Sequence, residues 1–250
     1  MDTEDPLQVM IMDDDYCALK LNAALLMRDP RTTVCDEAET PAELLSQVAK
    51  AKVTPDAIVL DTEYEPPEPP VGVLIRELRT RAPGAVVVCL SQYGNPAVVR
   101  SAISAGARGF LLKNEIRMAI VAAVKRACRA RFVMTPGIKA LLPAEFYSLL
   151  QQADTLNSWE PHPDLTPRLE RSVWLHLVYG MRAPLVAQEI DRKTETVERY
   201  VSDAYVILQD DWADDTDLEG LDLDALKAED RAFILFTAPP RVKRSGRGRK

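Results

Sequence analysis

The sequence predicts an α/β domain followed by an all-α domain. Up to residue 130, apolar runs of strand length alternate with amphipathic helical segments, and after Phe132 this alternation stops and helical segments follow. Apolar strands that alternate with helices are typical of a parallel sheet covered on both faces. The chain has 250 residues, 47% of them hydrophobic, which is enough for one large or two ordinary domains.

The first half contains five strand-like runs, each followed by a helical segment. The strands are predicted in LQVMIM (7–12), TTVCDEA (32–38), DAIVLD (56–61), GAVVVCLS (84–91) and GFLLK (109–113). The helices are predicted over residues 17–27, 41–52, 72–81, 95–107 and 115–130. Pro41 suits the first turn of the second helix, and Gly106 suits the end of the fourth. This order predicts a doubly wound sheet of five parallel strands.

Composition excludes several classes of function. Because the net charge is −7, any binding to nucleic acid must be local. The four cysteines, Cys17, Cys35, Cys89 and Cys128, are scattered, so we expect reduced core residues rather than metal ligands or a disulfide. No apolar run approaches the roughly 20 residues that span a bilayer. The acidic start, MDTEDPLQ, lacks the pattern of a signal peptide, and we therefore expect a cytoplasmic protein.

Polar residues stand at the ends of four of the five predicted strands. They are Asp13, Asp14 and Asp15 after the first strand, Asp61 at the third, Ser91 at the fourth and Lys113 at the fifth. Ligands bind at the carboxyl ends of parallel strands, so we expect these side chains to converge. Clustered carboxylates need a cation, and Mg²⁺ prefers oxygen ligands. With a lysine and a hydroxyl for phosphoryl oxygens, the set suits phosphoryl transfer onto an aspartate.

On these residues, positions 7–131 resemble the receiver domain of a bacterial two-component response regulator. The matching stretches are IMDDD, IVLD, VVVCLS and GFLLKN, in this order. The resemblance implies a flavodoxin-like (βα)5 fold and a phosphoacceptor at Asp61. It also implies that Asp13, Asp14 and the main-chain carbonyl of Glu63 join Asp61 as ligands of Mg²⁺, while Asp15 is left as a surface acid.

Three further residues match the family's phosphoryl-sensing and switching positions. The resemblance implies that Ser91 and Lys113 hold the phosphoryl oxygens, and that Phe110 is the switch aromatic. Phosphorylation by a sensor histidine kinase adds a charge of about −1.5 to −2, which is expected to draw in these groups and bias a two-state surface. Taken singly, such a lysine is more often solvated and such a phenylalanine is more often plain core. Their order on one β/α alternation favours the active-site interpretation.

The loop after the phosphoacceptor departs from the family pattern. Relatives have a short loop with one Met-Pro step before a glycine, whereas TEYEPPEPPV separates Asp61 from Gly72 here. Prolines stiffen this loop and remove backbone donors. Glu63, Glu65 and Glu68 add negative charge, which either raises the affinity for Mg²⁺ or hinders an incoming phosphoryl group.

The second half begins with a connecting segment. Residues 135–156 are predicted to form a linker with a helix, and NSWEPHPD (157–164) an extended connector in which His162 is exposed. We place the domain boundary in this connector. The predicted divisions are a receiver over 1–133, a linker over 134–164, a helical domain over 165–210 and a C-terminal extension over 211–250.

Three helices with a tight turn between the second and third are predicted over residues 165–208. LTPR opens the first, Gly180 ends it, PLVAQEI forms the second and Thr194 caps the third. Helices in this order form a helix-turn-helix. The segment resembles the LuxR-type domain of NarL/FixJ-type response regulators, on LTPR, Gly180, VAQEI and the pair Thr196–Val197.

In that family the third helix lies in the major groove of DNA. The positions expected to contact DNA are Arg192 and Lys193 for phosphates and, by the resemblance, Glu198, Arg199 and Ser202 for the bases, with Thr196 on the same outward face. Arg199 suits guanine, and Glu198 suits cytosine. Six basic residues are balanced by six acidic ones over 165–208, so the domain is formally neutral and should bind DNA weakly or need help.

The C-terminal extension lies outside the family pattern. Residues 209–230 carry ten acidic residues and one lysine, and the last ten, RVKRSGRGRK, carry six basic ones. Three interpretations of the basic end stay open: an arm on DNA, a segment that folds back on the acidic block, or a solvated tail. Between the two blocks, the apolar stretch RAFILFTAPP (231–240) is predicted to be strand-like and to pack on protein.

The sequence thus predicts a response regulator that binds double-stranded DNA as a homodimer and is switched by Mg²⁺-dependent phosphorylation of Asp61. It is not predicted to be an enzyme, because no nucleophile–base pair or Gly-rich phosphate loop is present. Two alternatives stay open. The proline-rich loop favours a regulator that acts without phosphorylation, and the neutral recognition surface favours a protein-binding adaptor with a degenerate helix-turn-helix.

Overall fold

The chain divides into two compact units. The computed structural model of the protein describes residues 5–64, 68–209, 213 and 215–241. Contacts group the chain into Met1–Ser158 and Trp159–Lys250. Within the described ranges, no helix is long and apolar enough to cross a membrane.

The first unit is built on one parallel sheet of seven strands, in the order β2-β1-β3-β4-β5-β6-β7. The strands are β1 Leu7–Met12, β2 Thr32–Ala38, β3 Ala57–Asp61, β4 Val86–Ser91, β5 Gly109–Leu112, β6 Val133–Met134 and β7 Asp154–Thr155. The first five confirm the predicted flavodoxin-like order. The chain passes outward from β1 to β2 and returns to β3 on the other side of β1, and this reversal is where ligands bind in such sheets.

Eight helices accompany these strands in the described part of the first unit. They are α1 Tyr16–Arg28, α2 Pro41–Lys50, α3 Val71–Arg81, α4 Pro96–Ala105, α5 Lys113–Ile116, α6 Ile120–Arg129, α7 Pro136–Leu141 and α8 Tyr147–Leu150, which follows a 3-10 turn at Ala144–Phe146. Pro41 and Gly106 occupy the predicted positions, and Gly106 has a left-handed φ of 95°. The helix predicted over 115–130 is wrong as a single element, because Arg117 has a φ of 44° and ends α5.

The segment predicted as a linker contributes to the sheet. β6 pairs with β5, and β7 pairs with β6, both in parallel. Between these strands, Ile138 of α7 is fully buried in the same apolar cluster as Phe110 and Met134. The compact unit therefore runs to Ser158, while the division into 1–133 and 134–164 stays a prediction.

The second unit is helical. Its helices are α9 Pro167–Val173, continued by a π-helical turn at Trp174–Val178, then α10 Ala183–Glu189, α11 Thr194–Leu208, α12 Asp215–Leu218 and α13 Ala228–Thr237. The Thr166 hydroxyl caps α9 as predicted, accepting from the Leu169 amide, and Gly180 has a φ of 66°. Thr194 does not cap α11: it is the first helical residue, and Lys193 at the cap position makes no side-chain capping bond.

The apolar C-terminal stretch is a helix rather than a strand. Six consecutive residues of α13, Ala232–Thr237, are buried. The Trp159 indole donates to the Phe236 carbonyl at 2.9 Å, and the two rings pack edge to face with centroids 5.8 Å apart. The strand-like prediction failed because the run AFILF is buried on all sides, so its apolar residues carry no period.

His162 is buried, with 4% of its surface exposed, and its prediction as an exposed residue is wrong. Its Nδ1 accepts from the Asp164 amide at 3.2 Å, and its carbonyl accepts from the Leu165 amide at 3.0 Å. The flanking prolines indicated an extended chain but carried no information on what packs against it. The basic end from residue 242 onward and Glu65 in the proline-rich loop lie outside the described residues.

Candidate functional site

The parallel sheet brings the predicted polar residues to one edge. Asp13 directly follows β1, Asp61 is the last residue of β3, Ser91 is the last residue of β4, and Lys113 directly follows β5. Asp61 is in register with Leu90, the residue before Ser91, so the strand ends lie at one level. Apolar side chains hold each strand in place, because β3 and the central residues of its neighbours are wholly buried.

Three carboxylates form a cluster at this edge. Oxygen atoms of Asp13, Asp14 and Asp61 all lie within 4.8 Å of one another. Asp13 and Asp61 are each 1% exposed, whereas Asp14 is exposed to solvent. Like charges at this separation repel one another, and hard divalent cations take such oxygen ligands. The donor set therefore fits Mg²⁺.

Lys113 bridges the two buried carboxylates. Its Nζ lies 2.8 Å from Asp13 Oδ2 and 2.8 Å from Asp61 Oδ1. Burial alone would lower the pKa of Lys113, but its hydrogen bonds with the two aspartates raise that pKa above its ordinary value. Burial raises the pKa of Asp13, and the hydrogen bond from Lys113 offsets this only in part. The ammonium is therefore held as a cation between the two carboxyl groups.

Ser91 points its hydroxyl at a residue of the neighbouring loop. Its Oγ donates to Glu63 Oε1 at 2.9 Å and accepts from the Gly94 amide at 3.1 Å. The Gln92 and Tyr93 amides also donate to the Glu63 carboxylate, at 2.7 Å and 3.0 Å. The sequence predicted the Glu63 main chain as a metal ligand and its side chain as added negative charge, but it did not predict these three hydrogen bonds. The signal available was a glutamate two residues after Asp61.

Phe110 lies inside the first unit rather than at its surface. The ring is 0% exposed, and its backbone is in register with Cys89 on one side and Met134 on the other. Burial raises the pKa of the Cys89 thiol, so that side chain stays neutral in the core. The switching role of Phe110 stays a prediction.

In the second unit, α11 has a buried face and an exposed face. Val197 and Val201 pack with Val186 and Ala187 of α10, as a helix-turn-helix requires. The positions predicted to contact DNA lie on or before the other face: Arg192, Lys193, Glu198, Arg199 and Ser202 are exposed, and Thr196 is half-buried. Within α11, the helical spacing places Glu198, Arg199 and Ser202 on the side away from the buried valines, and their role in DNA binding stays a prediction.

Comparisons with known proteins show what this chain is similar to. The family model of the response regulator receiver domain matches residues 9–125. The DNA-binding transcriptional activator DevR/DosR of Mycobacterium tuberculosis is 29% identical over 196 residues, which cover 78% of this chain and 85% of that protein. The probable transcriptional regulatory protein NarL of the same species is 28% identical over 201 residues, covering 80% and 87%.

A solved structure supports the fold of the first unit. The two-component response regulator of the LuxR family from Aurantimonas sp. SI85-9A1 aligns with a TM-score of 0.50 at 23% identity. The alignment covers 57% of this chain and 99% of that chain. At this identity the likeness concerns the fold alone.

Proposed function

We propose that this chain is a NarL/FixJ-type response regulator, with a receiver domain at residues 9–125, and that it regulates transcription by binding DNA when Asp61 is phosphorylated. The observation that carries this proposal is the contact of Lys113 Nζ with both Asp13 and Asp61 at 2.8 Å. It places a cation beside a buried carboxylate at the edge of the sheet where ligands bind.

Asp61 is the proposed phosphoacceptor. An oxygen of its carboxylate attacks the phosphorus of the donor, the bond from phosphorus to the leaving group breaks, and the electron pair departs with that group. The donor is a phosphohistidine of a sensor histidine kinase. Lys113 donates to a phosphoryl oxygen, which places its charge where negative charge gathers during transfer.

Asp13, Asp14, Asp61 and the main-chain carbonyl of Glu63 would hold Mg²⁺. When bound, the ion supplies positive charge that screens the carboxylates from an incoming phosphoryl group. The raised pKa of Asp13 supports this assignment, because a buried carboxyl group that resists ionisation gains most from a nearby cation.

Ser91, Lys113 and Phe110 are the proposed reporters of phosphorylation. Ser91 and Lys113 would donate to the phosphoryl oxygens, and the Phe110 ring would follow the movement of the loop after β4. Gly94 supports this proposal, because its amide donates to Ser91 Oγ and it lies beside Ile138 and Leu141 of α7. The response is a shift between two arrangements of this surface that favours a homodimer.

DNA binding is assigned to the exposed face of α11. Arg192 and Lys193 would contact phosphates, the proposed base contacts come from Glu198, Arg199 and Ser202, and Thr196 would lie against the DNA beside them. The burial of Val197 and Val201 supports this orientation, because it leaves the opposite face free for a groove. Two copies would read two half-sites of double-stranded DNA in the bacterial cytoplasm.

The test of phosphorylation is the intact mass of the protein after incubation with acetyl phosphate and Mg²⁺. The wild type should gain one phosphoryl group, and Asp61→Ala should gain none. Asp36→Ala, which removes an exposed aspartate of β2, is the matched control and should behave as the wild type. A wild type that gains no phosphoryl group contradicts the proposal.

A regulator that acts without phosphorylation is the second candidate. The occupation of the Ser91 hydroxyl by Glu63 favours it, because a phosphoryl group would have to compete for that donor. DNA selected from a random pool can separate the two candidates in a binding titration. If the wild type binds this DNA equally well with and without acetyl phosphate, and Asp61→Asn binds it equally well too, the second candidate is favoured over the first.

A further inference from the structure

The Glu63 side chain is anchored by three donors from one loop. These donors are the Ser91 hydroxyl at 2.9 Å, the Gln92 amide at 2.7 Å and the Tyr93 amide at 3.0 Å. The two carboxylate oxygens share them, with Oε2 accepting from Gln92 and Oε1 from the other two. Hydrogen bonds to an ionised acceptor are among the strong ones in proteins, so this loop is built around an anion.

The same residue is tied to the proposed phosphoacceptor. The Glu63 amide donates to Asp61 Oδ2 at 3.0 Å. The backbone of Glu63 therefore lies against the acceptor carboxylate, while its side chain reaches the loop after β4. An anion attached to Asp61 would meet the same hydroxyl that Glu63 now holds.

We propose that Glu63 is a positioning residue that acts as an internal anion: its carboxylate occupies the Ser91, Gln92 and Tyr93 donors until a phosphoryl group on Asp61 displaces it. This inference rests on the proposed function. Glu63 is an exposed residue, so its side chain can swing into solvent without unfolding the receiver. Carboxylate and phosphoryl oxygens carry like charge, so the two anions exclude each other from one set of donors.

Displacement would release the loop on which α7 packs. Gly94 bonds to Ser91 Oγ through its amide, and it lies so close to α7 that an added Cβ would stand 2.9 Å from Leu141 Cδ1 and 3.2 Å from Ile138 Cδ1. Glu63, Ser91, Gly94 and α7 thus form one continuous chain of contacts. The exchange of anions at Ser91 would thus change how the Gly94 loop packs against α7.

The test compares Glu63→Ala and Glu63→Gln with Glu68→Gln in the full chain. Glu68 belongs to the same loop but makes none of the three bonds, so its variant removes equal charge without freeing the donors. The probes are beryllofluoride affinity with Mg²⁺, by calorimetry, and the rate of phosphorylation by acetyl phosphate, by intact mass. In both Glu63 variants the beryllofluoride affinity and the phosphorylation rate should each rise about tenfold, because the competing charged hydrogen bonds are lost or weakened. Both quantities should stay near the wild-type values in Glu68→Gln.

A second measurement addresses the donors directly. The amide resonances of Gln92 and Tyr93 should shift upfield in Glu63→Ala and return downfield when beryllofluoride binds. In a Ser91→Ala background, the gain from Glu63→Ala should shrink, because the two residues act through one contact.

The outcomes separate this inference from the proposed function. If the wild type is phosphorylated on Asp61 and the Glu63 variants show no gain, the inference is overturned and the proposed function stands. An equal gain in Glu68→Gln also overturns it, because general charge then explains the effect. If neither the wild type nor the Glu63 variants accept a phosphoryl group, the proposed function itself fails.

Discussion

The charged residues of the acidic pocket in the first unit are mostly buried, whereas those on the outward face of α11 in the second unit are exposed. In the pocket, Asp13 and Asp61 are each 1% exposed and share one ammonium, that of Lys113. On α11, Glu198 and Arg199 stand side by side in solvent. One site is defined by a few buried contacts, and the other by the sum of many exposed charges.

This difference teaches which kind of change should matter at each place. Buried charges interact through a medium of low polarity, so the loss of one partner leaves the other without compensation. Exposed charges are screened by water and salt, so single changes have modest effects that depend on ionic strength. The pocket should respond to the identity of each residue, and the surface of α11 chiefly to its net charge.

The largest expected effect comes from Lys113→Met, which leaves Asp13 and Asp61 facing each other without a cation. Without divalent ions, the free energy of unfolding of the first unit should fall by about 1–3 kcal/mol, which is less than for a fully buried pair because the lysine is partly exposed. Hydrogen exchange of the β3 and β4 amides measures this in the full chain. Lys113→Arg keeps the charge and should lose less unfolding free energy. An unchanged exchange rate in Lys113→Met would contradict the view that the pocket depends on this one buried contact.

Arg199→Ala tests whether a single exposed residue carries base recognition. Binding to the preferred DNA sequence should weaken by about 1–3 kcal/mol, with specificity relaxed at one position, as expected for an arginine that pairs with guanine. Fluorescence anisotropy with selected and scrambled DNA measures both quantities. Arg168→Ala, an exposed arginine of α9, is the control. Equal losses on both DNA sequences would show that Arg199 contacts only phosphate.

Glu198→Lys tests whether the net charge of the α11 surface sets the affinity for DNA. The substitution should tighten binding to scrambled DNA by about tenfold or less, and steepen the dependence of log K on log salt by about one unit, because one phosphate contact is gained. Glu219→Lys, in the same unit but away from α11 in the sequence, is the control for total charge. A gain of the same size in both variants would argue that long-range attraction, rather than a contact by α11, sets the affinity.

The smallest effect concerns the pH dependence contributed by Asp13. Its pKa in the folded protein lies above the ordinary 3.8, so its favourable contribution is present below pH 3.8 and is lost as the pH rises through the folded pKa. Compared with Asp13→Asn, the wild type should therefore lose stability between acid and neutral pH when Mg²⁺ is absent. Hydrogen exchange of the β1 amides at several pH values measures the difference, and Asp36→Asn, which keeps Asp13, should follow the wild type.

The sequence was most informative where local pattern and global fold agree. The five strands and the convergence of Asp13, Asp61 and Lys113 follow from apolar runs that end in polar residues, because parallel strands must place their carboxyl ends on one edge. The order of the strands was implied only by the resemblance to receiver domains. The helix-turn-helix could also be predicted from local signals. These are the cap at Thr166, the helix end at Gly180 and the helical spacing of Val197 and Val201. These features need no knowledge of distant contacts.

Other features depend on contacts that no local pattern encodes. β6 and β7 are two residues each, too short to show a period, and they exist because β5 offers its free edge. The burial of His162 and the helical state of α13 likewise depend on what packs around them.

The amino-acid sequence by itself determined the type of fold, the acidic pocket and the exposed face of α11, because alternation, helical spacing and strand-end polarity are properties of neighbouring residues. Only the tertiary structure decided what the Glu63 side chain does. Its three donors come from residues 91–93, about 30 positions away along the chain, and only the pairing of β3 with β4 brings that loop within hydrogen-bonding distance.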